Sequence, residues 1–288
     1  MREIYLIRHG MPDFPGGARM CLGRTDLPLG LRGRLQAALL GAELGEAGEC
    51  FCSGLIRSRQ TAELMGFASP VIIPGLEEMD AGDWDGLSFD EIRRRWPEYY
   101  ERRGRERSLP PPGGEEFGSA SRRFLTAVKR AAALSRGDII IVSHSSVIQT
   151  LLCTLEGRPF DCARDFELPY GSVTRLRADA SGQMELVSWG VPPRPELTAQ
   201  LAERLLEAAE LPEELREHSL AAAGAAMELV CALAAAGICL DETRVYAAAL
   251  LHDLAKGAPD HALAGAGLLS QLGYPELAPL VAKHNEPE

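Results

Sequence analysis

No C-x-x-C pair occurs in this chain, whose seven cysteines, at 21, 50, 52, 153, 162, 231 and 239, form an odd and scattered set. That excludes a disulfide framework and a zinc knuckle, and points to reduced core thiols in a cytoplasmic protein. Positive charge is in deficit, with 30 Lys and Arg against 41 Asp and Glu and a formal net charge of -11. Such a chain is repelled by nucleic-acid phosphates and by anionic membranes, so no nucleic acid and no membrane is expected as a partner. Any anionic ligand must be met by a local basic pocket. Long apolar runs are missing too: the most apolar stretch, Leu220 to Leu240, is interrupted by Glu228 and rich in Ala and Gly, and reads as a buried helix pair. The opening MREIYLIRHG is charged at Arg2, Glu3 and Arg8, which leaves no room for the apolar core of a secretory signal.

What is present is an ordinary globular composition, 46% hydrophobic and 25% charged, over 288 residues, a length that predicts two domains. Strand-like runs at Glu3–Ile7, Glu49–Ser53, Val71–Ile73 and Asp138–Ser143 alternate with helical patterns at Leu31–Leu44, Ser58–Met65 and Val147–Leu155. This predicts an α/β domain over 1–190, three-layered, with a mostly parallel sheet and helices on both faces. Arg175–Trp189 reads as a closing hairpin that turns at Ala180-Ser-Gly182, and the stiff joint Gly190-Val-Pro-Pro-Arg-Pro195 marks a domain boundary. Residues 197–288 read as a smaller all-α domain with breaks at Pro212, Gly237 and Gly257. The run Ile92–Arg107 holds seven arginines and three glutamates, and reads either as a solvated helical face or as a lid that helps select an anionic substrate.

All six histidines, at 9, 144, 218, 252, 261 and 284, lie in motif-like settings. Arg8-His9-Gly10 follows one strand run, Arg57 follows a second, and His144 ends a third. Open α/β sheets present ligand-binding residues at such strand ends. Two guanidiniums and two imidazoles brought together would trap a dianion, with the cations favouring a neutral imidazole whose lone pair can attack phosphorus. The segment Leu76-Glu77-Glu78-Met79-Asp80 is either an exposed acidic turn or the source of a general acid.

Six motifs then stand in order: Arg8-His-Gly, Gly23-Arg-Thr-Asp-Leu-Pro28-Leu, Arg57 to Thr61-Ala62, Leu76-Glu-Glu78-Met with Gly82 and Trp84, Pro112-Gly-Gly-Glu115, and Val142-Ser-His144. In this the chain resembles the histidine phosphatase superfamily, the phosphoglycerate-mutase-like fold, and within it the branch that includes α-ribazole phosphatases. The resemblance implies that His9 is the phosphorylated nucleophile, that Arg8, Arg57 and His144 bind the transferring phosphoryl group, and that Glu78 rather than Glu77 is the acid. It implies no cofactor for this domain and a small phosphorylated metabolite as substrate. Hydrolysis is expected over mutase-type phosphoryl transfer, because the domain lacks the longer insertions that accompany a protected phosphoenzyme. Two departures, Met11 after the first motif and Ser145-Ser146 after His144, leave the substrate open.

In the helical half, Glu217-His218-Ser219 and Leu250-Leu-His252-Asp253-Leu-Ala-Lys256 resemble the HD-domain superfamily of metal-dependent phosphohydrolases. The resemblance implies a metal held by His218, His252 and Asp253, with His261 and His284 as ligands of a second. Imidazole and carboxylate donors converging inside a helical bundle suit Mn, Fe, Ni or Zn. Helix-terminal histidines near solvent are the plainer alternative. The family's last aspartate has no counterpart after His284, so the domain is expected to lack its last helices and to bind metal weakly. It is read as a phosphohydrolase or as a non-catalytic regulatory module that binds a nucleotide.

Overall fold

The computed structural model describes residues 1–45 and 47–284. The apolar runs form strands because both faces of each are covered. In β1 (Arg2–Arg8), Ile4 and Leu6 enter one hydrophobic core and Ile7 the other, as the two-residue period of a strand requires. Then follow α1 (Leu31–Leu44), β2 (Glu49–Cys52), α2 (Ile56–Leu64), β3 (Val71–Ile72), α3 (Phe89–Arg95), α4 (Pro97–Arg105), α5 (Phe117–Leu134), β4 (Ile139–Ser143), α6 (Ser145–Leu155), β5 (Val173–Ala178) and β6 (Met184–Val191).

The six strands form one sheet in the order β3-β2-β4-β1-β5-β6. The first four are mutually parallel, while β5 runs antiparallel to β1, and β6 to β5. Phe51, Ile139 and Ile141 pack under α5 and α6, whereas Cys50, Cys52, Ile140 and Val142 meet residues of α1 and α2. Helices therefore cover both faces, as the α/β reading requires, and the four-residue hydrophobic run of β4 is wholly buried. Helix α5 was not apparent from the strand and helix runs, although its Phe117, Ala120, Phe124, Ala127, Val128 and Ala131 form a buried stripe at helical spacing.

By its internal contacts the chain divides into two units, Met1–Pro193 and Arg194–Glu288. Strand β6 runs through Gly190 and Val191, so the start of the proline-rich joint belongs to the sheet. The second unit comprises α7 (Ala199–Ala209), α8 (Glu213–Ala235), α9 (Glu242–Leu251), α10 (His261–Gln271) and α11 (Ala278–Ala282).

Two expectations are corrected. The stretch Leu220–Leu240 is no buried pair: most of it belongs to the single helix α8, in which only Ser219, Ala223 and Val230 are buried. Gly224 is tolerated inside that helix, and the break falls at Gly237. By length and composition alone α8 is long and apolar enough to cross a membrane. The cysteines are all free, but only Cys50, Cys52 and Cys153 are core residues, while Cys231 and Cys239 are exposed.

Candidate active site and a second histidine cluster

Strands β1, β4 and β2 are neighbours, and each delivers one group at its carboxyl end. His9 follows β1, His144 follows β4, and β2 leads through Ser53 into α2, whose first turn carries Arg57. The Asp26 carboxylate accepts the Ile56 N–H at 2.8 Å, which fixes the start of α2. Arg57, fully buried, donates Nη1 to the Thr25 carbonyl and Nη2 to that of Gly23, at 2.8 and 2.9 Å. That loop is held by Asp85, whose carboxylate accepts the N–H groups of Gly23, Arg24 and Thr25, each at 2.8 Å.

His9 donates Nδ1–H to the Gly10 carbonyl at 2.7 Å, and its Nε2 accepts from Arg57 Nε at 3.3 Å. Burial, with Arg57 and Arg8 alongside, holds this imidazole well below the ordinary histidine range, so it is neutral with its lone pair on Nε2. The His144 ring centre lies 4.9 Å from that of His9. His144 is also kept neutral, by burial and by Arg57, and its Nδ1 is buried with no hydrogen-bond partner. Arg8 lays its guanidinium 3.6 Å from the centre of the Tyr170 ring and donates Nη1 to the Leu168 carbonyl.

Glu78 accepts N–H bonds from Met79, Val147 and Ser146, at 2.9, 3.1 and 3.1 Å, so its carboxylate caps α6. Glu77 turns away: it accepts the Gly75 N–H and lies 3.8 Å from both Arg24 and Arg123. Arg123 of α5 grips Glu115 through Nε and Nη2, and through Nη1 the carbonyls of Gly75 and Glu77, which locks the loop that carries Glu78. The separated sequence motifs thus meet in space.

The structure brings Arg8, His9, Arg57 and Glu78 to a cavity of about 460 Å³, with His144 packed beside His9. Its wall also includes Arg19, Arg103, Arg164 and Tyr170, which no strand-end motif singled out. Tyr170 arrives because Gly171 donates its N–H to the carbonyls of Arg8 and His9 just before β5 pairs with β1. The arginine run divides between solvent and the cavity. Arg93, Arg95, Arg102 and Arg107 form exposed ion pairs, while Arg103 faces the cavity and approaches the Trp84 ring at 5.4 Å.

In the second unit the four sequence-selected histidines surround the fifth selected residue, the buried carboxylate of Asp253. His218 and His252 lie 3.9 and 3.5 Å from its Oδ2, and His261 and His284 lie 3.3 and 3.4 Å from its Oδ1. His252 and His284 each donate Nδ1–H to a backbone carbonyl, of Ala249 and Val281, at 2.7 Å. Their Nε2 lone pairs then face His218 Nε2 at 3.2 Å and His261 Nε2 at 3.3 Å. This donor set fits divalent cations: nitrogens oriented by their opposite ring N–H, converging on either side of one carboxylate. Burial alone would raise the Asp253 carboxyl, but Lys256, with Nζ 3.0 Å away, and the histidines hold it below the usual aspartate value.

Residues 215–288 match the HD domain, and residues 4–192 match the histidine phosphatase superfamily, branch 1. A 2,3-bisphosphoglycerate-dependent phosphoglycerate mutase of Methylobacterium radiotolerans is 30% identical over 200 residues, 62% of this chain and 92% of that protein. The solved structure of Bacillus stearothermophilus YhfR is 30% identical with a TM-score of 0.59, over 66% of this chain and 98% of that one. An α-ribazole phosphatase structure from Shigella flexneri is 26% identical with a TM-score of 0.57, over 66% of this chain and 96% of that one. With its strand-end histidines and arginines in a matched segment that spans most of its length, the chain belongs to the histidine phosphatase superfamily.

Proposed function

We propose that the first unit hydrolyses a phosphomonoester through a phosphohistidine on His9. One observation carries this reading: the His9 ring gives its only proton to Gly10, which leaves Nε2 as a lone pair beside the Arg57 guanidinium. Nε2 attacks phosphorus, an N–P bond forms, and the P–O bond to the leaving group breaks. Glu78 supplies the proton to the leaving oxygen. Arg8, Arg57 and His144 stabilise the charge on the equatorial oxygens of the phosphoryl group in flight. Water then attacks the phosphohistidine while the Glu78 carboxylate takes its proton, the N–P bond breaks, and orthophosphate leaves.

Ser145, Ser146 and Gln149 line the same cavity beside Glu78, and these polar side chains favour a retained water over a sealed phosphoenzyme, which supports hydrolysis over mutase-type transfer. The test is rapid acid-free quenching with phosphorus NMR during turnover of p-nitrophenyl phosphate, alongside an assay of phosphoglycerate isomerisation. A phosphoramidate signal with phosphate release is expected; product without that signal, or isomerisation outrunning hydrolysis, overturns the reading.

For the second unit we propose a divalent-metal site, with His218, His252 and Asp253 holding one ion and Asp253, His261 and His284 a second. A bound metal would supply Lewis-acid polarisation of a phosphate oxygen and an acidified water. Lys256 adds a cation to the lining of the adjoining cavity of about 440 Å³, which supports a nucleotide as its ligand class. Metal analysis of the purified protein tests this: less than one equivalent, unchanged in His252→Ala, dismisses the site.

A further inference from the structure

The two halves of the histidine cluster are not equivalent, because a cation of the chain itself stands against one of them. The turn after α9 closes with the Lys256 N–H donating to the Asp253 carbonyl at 2.9 Å, which brings the lysine side chain back onto the Asp253 carboxylate. Lys256 Nζ donates to Oδ2 at 3.0 Å and to Oδ1 at 3.2 Å. It also lies 3.4 Å from Nε2 of His261, the first residue of α10. The ammonium thus bridges the shared carboxylate and a histidine of one pair. Among the described residues it makes no hydrogen bond to His218 or His252, the other pair.

The chemistry of the donors makes that asymmetry matter. An imidazole nitrogen has one lone pair, so His261 Nε2 can accept from the ammonium or ligate an ion, but not both. A carboxylate offers about four lone-pair positions over its two oxygens, so Asp253 can serve an ion beside His218 and His252 while Lys256 stays in place. Two cations on neighbouring donors also repel, and the burial of Asp253 limits how far water and salt screen them. The lysine has somewhere to go: its side chain is 39% exposed and borders the adjoining cavity.

We propose that Lys256 is a built-in competitor for the ion held by Asp253, His261 and His284. The side of His218 and His252 loads first, and the other side loads only as the ammonium leaves Asp253 and His261 for the cavity. This rests on the metal reading above and adds to it an order of binding set by a residue of this chain.

The test titrates Mn into chelator-treated full-length protein, with free Mn read by electron paramagnetic resonance, in wild type, Lys256→Met and Lys256→Gln. Wild type should bind one ion tightly and a second about tenfold or more weakly. In both variants the second ion should tighten by about tenfold or more, the scale seen when a group in contact with metal ligands is changed, and the first should move little. Adding His284→Ala to Lys256→Met should remove the gain, which places it on that side of the carboxylate. Two equal constants in the wild type, a gain shared equally by both ions, or a second ion that binds neither variant more tightly overturns the competition. Wild type that binds no Mn at all would instead remove the metal reading, and the competition with it.

Discussion

The Ser53 hydroxyl lies 2.7 Å from His144 Nε2, and both residues are fully buried. Among the described residues it is the only hydrogen-bond partner of that ring, whose Nδ1 is buried without one. A hydroxyl that donates to Nε2 places the ring proton on Nδ1, where it can serve as a donor to a phosphoryl oxygen. In the proposed mechanism this makes Ser53 a positioning residue that acts through His144. Ser53→Ala should lower kcat by about tenfold, on the scale of one buried hydrogen bond, with KM little changed and with recovery in Ser53→Thr. In a His144→Ala background the same substitution should have no further effect; additive losses would show that Ser53 acts elsewhere.

Arg57 joins the loop at residues 23–25 to the His9 imidazole. Replacing it with Ala removes a charge aimed at the transferring group and leaves two carbonyls without their donor. The expected loss in kcat is on the order of 10²-fold or more. Asp85→Asn, which weakens the support of that loop, should give a smaller loss in the same direction. Steady-state rates on p-nitrophenyl phosphate measure both.

His9 and His144 are held below the ordinary histidine range in the folded chain. Unfolded histidines titrate near about 6.5, so as the pH drops through that value the unfolded state binds protons that the native state refuses. Stability therefore falls with falling pH, beginning near that value and continuing down to the native titration points. Thermal unfolding recorded from neutral to mildly acidic pH should show this decline, and His144→Gln should flatten it. A melting temperature independent of pH over that window would contradict the neutral assignment.

Gly33 of α1 packs directly on the segment after His9. A Cβ at Gly33 would lie 2.1 Å from the Met11 carbonyl oxygen, and one at Gly10 would lie 2.3 Å from that of Gly33. These are backbone atoms, so no side chain can move aside. Gly33→Ala should destabilise the first unit by about 1–3 kcal/mol and displace His9. Denaturant unfolding and activity together report it, and a variant with unaltered stability would refute the close packing.

Asp253 stands between two pairs of histidines. A cation bound there stabilises only the native state, so Mn or Zn added to chelator-treated protein should raise its melting temperature as concentration increases. Asp253→Asn removes the shared charge and should abolish the rise. An equal shift in the variant would place the binding elsewhere.

Much of the catalytic half is legible in the sequence because strand ends and motif residues coincide: His9, Arg57 and His144 each stand just beyond an apolar run. Glu78 is legible only through the resemblance, since the doublet Glu77-Glu78 is chemically symmetric. What separates the two is tertiary, for Arg123 from α5 and the α6 amides pull them in opposite directions. Tyr170, Arg19 and Arg164 stand in no motif, and they reach the cavity through loop paths and strand pairing that no local period encodes.

The sequence by itself determined the alternation of strands and helices, the chemical types at the strand ends and the spacing of the histidines in the helical half, because periodicity and residue chemistry are local. Only the tertiary structure decided that α8 is one exposed helix, that two cysteines are exposed rather than in a core, and that a single arginine in a run of seven turns toward the cavity. Those outcomes depend on which surfaces meet, and burial is a property of the packed pair, which neither partner's sequence carries alone.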